Sequence, residues 1–545
     1  MKANSFFYPK FFSLIRSGLD RRQMVQDVLA GVVVGIVALP LCIAFAVASG
    51  VDPGKGLVTG ILAGFIISFL GGSRVQIGGP TGAFVILIFG FVQSYGFAGL
   101  FYSTIIAGIL LILFGVLKLG NLLKYIPHPL ITGFTSGIAL VIFSTQIKDA
   151  LGLPIEKVPA DFLEKWSLFI RKAGDFNPYS LVLTLASIAL ILILRKVTKR
   201  IPGSFVSIIL LSGAAALFRL PVETVGSLYG AIPRSFHFGI PAFDPGFLPA
   251  YFQAGLAIAL LGGIESLLSA TVADGMISGN HRSNTELIAQ GIANIVTPFF
   301  GGIPATGALA RTAANVKNGG RTPLAGIVHS LTLLSIMLFF GPYAVYIPMA
   351  VLAGILIVVA YDMSELHAFK AYLKGNMYDR IILLVTFLLT VFVDLVAAIE
   401  VGIVLSSLLF MKRMSDIAEK RIDHVVDLDV IDDYSALPSR IGIYEISGPL
   451  FFASARRYIE LMKELGIRKD VIIIRMRHVS FIDKTGMNTF ADAVRFLHSR
   501  KIDVVLSGLN DEVLLKLKNN GMDRWIPEEN ICSSFKDAVA RAESL

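Results

Sequence analysis

Two charged residues stand where charge is least expected. Arg311 lies among small residues, with Ala308-Leu309-Ala310 before it and Thr312-Ala313-Ala314 after. Glu265 is the lone acid between positions 256 and 272, flanked by Gly262-Gly263 and Ser266. A charge at the centre of a bilayer costs roughly 2.5–3.5 kcal/mol on insertion scales, so such residues mark pathways for substrates and ions. A guanidinium can hold an anion through directed N–H groups. A buried carboxyl group can exchange a proton. With Ser269 one turn further on, backbone carbonyls and Thr306, it could instead hold a sodium ion. Two plainer readings compete: Arg311 could snorkel to a helix end, and Glu265 could be a structural acid paired to Arg311.

A second kind of chemistry needs no charged side chain. Phe69-Leu70-Gly71-Gly72 leads to Pro80-Thr81-Gly82-Ala83, and Phe299-Phe300-Gly301-Gly302 leads to Pro304-Ala305-Thr306-Gly307-Ala308. Each cluster opens an apolar stretch too short to cross a bilayer as a regular helix. A helix N-terminus carries roughly half a positive charge and up to four free N–H groups. Two of them facing each other would bind an anion at mid-membrane. The expected place is between Ala83-Phe84 and Ala308-Leu309-Ala310, with Gly82 and Gly307 permitting close approach of ligand and backbone. Glycines that merely pack helices are the alternative.

These residues need a membrane scaffold, and the composition supplies one. Of 545 residues, 54% are hydrophobic and 16% charged, too apolar for a soluble protein of this size. About fourteen apolar segments are expected, at 27–50, 56–71, 81–94, 98–117, 129–147, 179–195, 204–220, 250–273, 285–300, 306–316, 323–341, 343–360, 379–394 and 396–411. The first follows a basic N-terminus and is a full span, so it should remain as a helix. Pro40 within it should break or bend it.

Lys and Arg at 2, 10, 16, 21 and 22, at 118 and 124, at 195, 196, 199 and 200, at 317 and 321, and at 412 and 413 fall on one side. Both termini are therefore expected in the cytoplasm of an inner or plasma membrane. That rule accounts for the net charge of +9 without nucleic acid. Ile126-Pro127 with Gly133 and Ile347-Pro348 with Gly354 echo one another in the two halves. Seven spans per repeat is odd, so the second repeat must be inverted. Cys42 and Cys532 lie too far apart to suggest a disulfide, and no metal-ligand cluster, P-loop or GxSxG triad marks an enzyme.

From position 412 onward charges become dense. Runs at 441–446, 471–474 and 503–506 read as strands, and segments near 454–464, 486–499, 511–518 and 533–543 as helices, giving a small α/β domain. The expected division is an N-terminal segment 1–26, a membrane domain 27–411 with repeats near 27–220 and 250–411, a linker 412–437 and the α/β domain 438–545.

Several stretches together resemble the sulfate permease (SulP) family of anion transporters. They are Ala38-Leu39-Pro40 through Phe45-Ala46-Val47-Ala48-Ser49-Gly50, Gly79 through Ala83, Gly263-Ile264-Glu265-Ser266-Leu267-Leu268, and Gly301 through Thr312. Phe481-Ile482-Asp483-Lys484-Thr485-Gly486-Met487 resembles the signature loop of STAS domains. The resemblance implies two inverted repeats of seven split into core and gate domains, a cytoplasmic STAS domain able to meet a partner, and a homodimer in the lipid bilayer. It implies that Arg311 lies beside the anion and that Phe45 packs against it. Many sulfate-carrying members have Gln after the proline; here Leu41 stands there, which leaves bicarbonate, another monovalent anion or a dicarboxylate open. In bacterial anti-sigma antagonists a phosphorylatable Ser directly follows the Asp; here Lys484 occupies that place, which puts such a phospho-switch in doubt, and Thr485 is expected to cap the following helix. The function implied is secondary active transport coupled to protons or sodium, without a resident cofactor. An uncoupled channel or exchanger, and a membrane-anchored STAS signalling platform, are the alternatives.

Overall fold

The computed structural model describes residues 7–18, 20–121, 127–155, 158–159, 161–197, 202–230, 235–393, 395–422, 438–452, 454–455, 460 and 469–545. The chain forms two compact units, 1–403 and 404–545.

Every expected apolar segment has a helical counterpart, the first thirteen in the first unit and the fourteenth across the boundary between the two. The first two are Arg21–Ala48 and Pro53–Leu70. Gly82–Val116 holds the third and fourth as two arms meeting at Gly96, whose φ of 67° and ψ of −174° suit glycine. His128–Leu151, Pro178–Val197 and Gly203–Leu217 complete the first half. Leu248–Ile277, Ser283–Phe299, Leu309–Lys317, Leu324–Phe340, Met349–Met363, Met377–Phe392 and Leu395–Ile422 make the second. Among the described residues, eight helices are long and apolar enough to cross a membrane.

Three expectations need correction. The first helix is not broken at Pro40 but continues on both sides of it, as membrane helices tolerate proline where neighbouring groups meet the freed backbone. The twelfth begins at Met349 rather than near 343, since Gly341–Tyr346 forms a 3-10 turn and Pro348 then opens the helix. The linker does not begin at 412: helix continues to Ile422, as its Lys, Glu and Ala residues favour. Residues 423–437 lie outside the described residues.

The helices pack in two groups. The first and second pack on each other and on the eleventh, and the fourth packs on the eighth and ninth. The fifth packs on the twelfth and thirteenth, and the sixth on the seventh and twelfth. Glycines set the closest approaches: a Cβ on Gly108 would lie 2.7 Å from the Gly291 carbonyl oxygen, and one on Gly291 2.5 Å from that of Gly108.

Between these helices run two short strands, β1 (Gly78–Gly79) and β2 (Thr306–Gly307), paired antiparallel with Gly78 opposite Gly307 and Gly79 opposite Thr306. The Ala308 N–H donates to the Ile77 carbonyl at 2.9 Å and extends the ladder. Each strand feeds directly into a half-helix. Because the strands are antiparallel, the two half-helices leave the crossing in opposite directions with their N-termini meeting at it.

The second unit carries four parallel strands in the order β3 (Ile441–Ser447), β4 (Val471–His478), β5 (Asp503–Ser507) and β6 (Ile531–Cys532). Helices Lys484–Ser499 and Asp511–Asn519 bury one apolar cluster against the sheet, while Phe535–Ser544 takes part in another. The short β6 was not anticipated: two residues carry no readable alternation. The helix expected near 454–464 falls largely outside the described residues. The cap of the first helix is Asp483, whose carboxylate accepts from the Gly486 N–H at 2.6 Å, and not Thr485, which lies one residue inside the helix.

Candidate functional site

The helix N-termini at the strand crossing lack side-chain caps. Thr81 occupies the N-cap of the third segment, but its hydroxyl donates to Glu265 Oε2 at 3.0 Å instead of accepting from its own helix. Ala308 occupies the N-cap of the tenth and has no group to cap with. The first-turn N–H groups at 82–83 and 309–311 therefore have neither an intrahelical acceptor nor a side-chain one. Both half-helices are short. The tenth, nine residues, spans about 13.5 Å at 1.5 Å per residue, and 82–95 about 21 Å. Neither crosses a hydrocarbon core of about 30 Å.

A cavity of about 250 Å³ opens at this point. Phe45, Ala83, Ala308, Leu309, Ala310, Arg311 and Glu265 all line it. Across from them stand Leu130, Phe134, Val359 and Met363 of the fifth and twelfth segments, so the cavity separates the two helix groups. Asp362 and Glu365 line its edge, and Arg195 pairs Asp362 through two bonds of 3.0 and 2.5 Å.

Arg311 is 2% exposed, so it does not snorkel. Its Nη2 donates to the Pro80 carbonyl, and Nη1 lies 3.8 Å from Cys42 Sγ. Gly79 makes room for it: at φ 145° a Cβ there would lie 2.4 Å from Nη1. The guanidinium thus reaches back over β1 and binds the tenth segment to the entry of the third. Among the described residues no ion pair within 4 Å joins Arg311 to Glu265, yet the two buried charges are near enough to attract one another.

Three expected residues are placed elsewhere. Phe84 is fully buried and faces the eighth segment, where a Cβ on Gly262 would lie 3.1 Å from its Cζ. Ser269 donates to Thr312 Oγ1 at 3.3 Å, and that oxygen accepts from the Ile77 N–H at 3.0 Å. Thr306 Oγ1 lies 2.6 Å from Ser266 Oγ and donates to the Gly262 carbonyl at 3.0 Å. Both hydroxyls are spent holding the strand crossing to the eighth helix, away from the carboxylate of Glu265. Gly307 is not open to a ligand either: a Cβ there would lie 1.4 Å from Gln76 Nε2, which donates to the Ser266 carbonyl at 3.0 Å.

Reading the sequence missed Gln76, Gly79, Ser266 and Thr312, and the bond from Thr81 to Glu265. The first four are small or neutral residues of types common in any membrane helix, so nothing in their identity announces a cross-link. Only Thr81 had a visible cue, its N-cap position.

The sequence matches the sulfate permease family over residues 24–386 and the STAS domain over residues 436–538. YvdB of Bacillus subtilis, whose name assigns it provisionally to sulfate transport, is 39% identical over 517 residues, covering 94% of this chain and 97% of YvdB. The bicarbonate transporter BicA of Synechocystis is 27% identical over 550 residues, covering 96% of each. The transmembrane domain of a cyanobacterial BicA superposes with a TM-score of 0.63 at 28% identity, over 70% of this chain and 98% of that one. The murine anion transporter Slc26a9 superposes with a TM-score of 0.87 at 19% identity, over 100% of this chain and 95% of that one, a likeness of fold. A strand crossing with two uncapped half-helices, carried on a membrane unit that ends in a STAS domain, is in this light a member's architecture: the chain belongs to the sulfate permease family.

Proposed function

We propose that the chain is a secondary active transporter of small inorganic anions, with the anion held between the N-termini of the third and tenth segments. The observation that carries this is the pair of uncapped half-helix N-termini opening on one cavity with Arg311. The names of YvdB and BicA, for sulfate and bicarbonate, give the substrate class. Within it we favour a monovalent anion of the bicarbonate kind. The cavity offers one guanidinium, and Leu41 lines it with hydrocarbon, so a dianion would meet too few donors.

In this reading the first-turn N–H groups and the Arg311 guanidinium bind the anion, and Phe45 shields it from one side. The group holding the strand crossing moves against the group holding Leu130 and Val359, carrying the cavity from one membrane face to the other. Glu265 couples the cycle. An anion nearby disfavours the charged carboxylate, so anion loading and proton loading assist each other, and that linkage is reciprocal. The hydroxyl placements of Ser269 and Thr306 make a proton the better coupling ion than sodium. The fourteen segments lie in the membrane, the third and tenth as half-helices that meet within it, both termini lie in the cytoplasm, and two copies assemble as a homodimer.

The test is uptake by proteoliposomes of labelled bicarbonate, chloride, sulfate and a C4-dicarboxylate, with and without proton and sodium gradients. Bicarbonate accumulation driven by a proton gradient supports the reading. Uptake of none of the four, or gradient-independent leak of all, overturns it.

A further inference from the structure

A second cavity, of about 370 Å³, lies along the same helices further from the strand crossing. On the fifth segment the central cavity ends at Thr135 and the second begins at Val141. On the eighth, Leu261 belongs to the first and Ala254 to the second. At 1.5 Å per residue the two are about 10 Å apart along these two helices, and they approach most closely on the third segment, where Ala83 lines the first and Val85 the second, about 3 Å along the axis. Phe84, Ile138 and Ile258, all fully buried, occupy the intervening level. The second cavity reaches Tyr95 at the far end of the third segment and Val393 beyond the thirteenth, the side where the 152–177 connection lies.

That connection contains the helix Phe162–Lys172, which places Lys165 in the wall of the cavity. Lys165 is 2% exposed. A buried lysine is ordinarily paired, because an isolated ammonium in a dry environment is costly. Here, among the described residues, its Nζ has no hydrogen bond and no ion pair. Its Nζ lies 6.0 Å from the centroid of the Phe89 ring, at the limit of a cation–π contact. Burial pushes its pKa down from the usual lysine value, and Asp161 opposes that shift.

Asp161 also lines the cavity and is its other charge. It is already engaged: Oδ1 accepts from the Leu163 N–H and the Glu164 N–H, both at 2.9 Å, as the N-cap of the same helix. A capping carboxylate is offset by the positive end of the helix it caps. That carboxylate is thus shared between the helix N-terminus and the ammonium, and among the described residues Lys165 has no bonded acceptor of its own. Gln253, Ser94 and Thr145 supply the remaining polar edge, and aromatic rings at Phe162 and Phe392, centroids 5.5 Å apart, close it.

We infer that this cavity is a second anion site, in which the Lys165 ammonium holds a small inorganic anion on the side of the membrane opposite the His128 end of the fifth segment. The site goes beyond the central one: it lies on the far side of an apolar layer and uses none of its residues. It would concentrate anion at the entrance from which the central cavity is loaded when the helix groups rearrange.

Equilibrium binding of labelled chloride, bicarbonate and sulfate to the full-length protein in lipid nanodiscs tests it, alongside uptake from each side of sealed vesicles. Lys165→Met keeps the apolar stem and removes the charge. It is expected to abolish one class of binding site and to raise the apparent KM for anion offered from the 152–177 side about tenfold, the loss of one charge-assisted hydrogen bond. The KM from the other side should stay as in wild type, and Lys165→Arg should retain the site. Lys165→Cys adds a charge-rescue arm, with wild type given the same reagents as the control for Cys42 and Cys532 and the extent of modification at 165 measured by mass spectrometry. Aminoethylation of the new thiol should restore low-KM uptake, and a sulfonatoethyl adduct should not. Arg311→Gln separates the two sites: if the central reading fails, that variant binds as wild type while the Lys165→Met loss persists. Unchanged stoichiometry in a folded Lys165→Met protein, or equal effects of the two adducts, would overturn the inference.

Discussion

Arg311 is held by a device that can be dismantled from two directions. Arg311→Gln removes the charge. Gly79→Ala leaves the charge but puts a methyl group 2.4 Å from Nη1 and 3.2 Å from Cζ and Nη2, so the guanidinium must move. A charge-assisted hydrogen bond contributes about 1.5–3 kcal/mol, so Arg311→Gln should weaken anion binding roughly tenfold to a hundredfold. Gly79→Ala should lose a similar part of that energy through displacement, together with about 1–3 kcal/mol of folding stability from an alanine forced to φ 145°. Both losses pass through one guanidinium, so they should not add. The double variant should bind anion no more weakly than Arg311→Gln alone, whereas independent sites would sum. The assay is equilibrium binding of labelled anion to purified protein, with thermal unfolding of each variant to confirm the fold. Additive losses of binding would refute the claim that Gly79 acts by placing Arg311.

Further outcomes follow from the same geometry. Glu265→Gln should abolish proton-driven accumulation while sparing anion binding and exchange; accumulation equal to wild type, under matched gradients in proteoliposomes, would dismiss the coupling role. Gly307→Ala should lower the unfolding temperature by displacing Gln76 from the Ser266 carbonyl, at about 2 kcal/mol, and adding Gln76→Ala should recover part of the loss. Asp483→Ala should cost about 1 kcal/mol by removing the cap of Lys484–Ser499, seen as faster amide exchange in its first turn, whereas Thr485→Ala should leave that turn's protection unchanged. The bond from Lys518 Nζ holds the Glu528 carboxyl below its usual pKa, so its small stabilisation is present above the ordinary carboxylate pKa and fades as pH falls through the lowered one. Glu528→Gln should remove that pH dependence from local amide exchange.

What the sequence made legible depended on whether a residue's type was unusual for its surroundings. Arg311 and Glu265 are charges in apolar helices, and Pro-Gly clusters punctuate otherwise continuous hydrocarbon; both signals survive in a single sequence. The helical segments were legible for the same reason, since a bilayer imposes one length and one composition. Side-chain direction was not. Ser269 lies one turn from Glu265 in sequence and suggests a shared ligand, yet it bonds Thr312, because the eighth helix must also hold the tenth segment. Gly307 and Gly82 looked equivalent by repeat, but Gln76 fills the space beside Gly307 and has no matching glutamine opposite. Inverted repeats predict backbone better than side chains: the halves share a topology, while their sequences have diverged to do different work at the crossing.

That divergence bears on how a nearly symmetric frame produces a directed cycle. If both half-helices were capped alike, the crossing would present the same donors to either membrane face. Instead the third segment's cap hydroxyl is committed to Glu265, and the tenth segment begins at an alanine and carries Arg311 in its first turn. The titratable group is therefore linked to one half-helix and the fixed charge to the other. Protonating Glu265 changes the acceptor that Thr81 donates to, at the N-terminus of the third segment, without touching the link from Arg311 to Pro80. If Glu265 couples the cycle as proposed, a proton would be read at one pole of the anion site while the bond at the other pole stays in place, and this asymmetry would let a single carboxyl bias anion loading without dismantling the site.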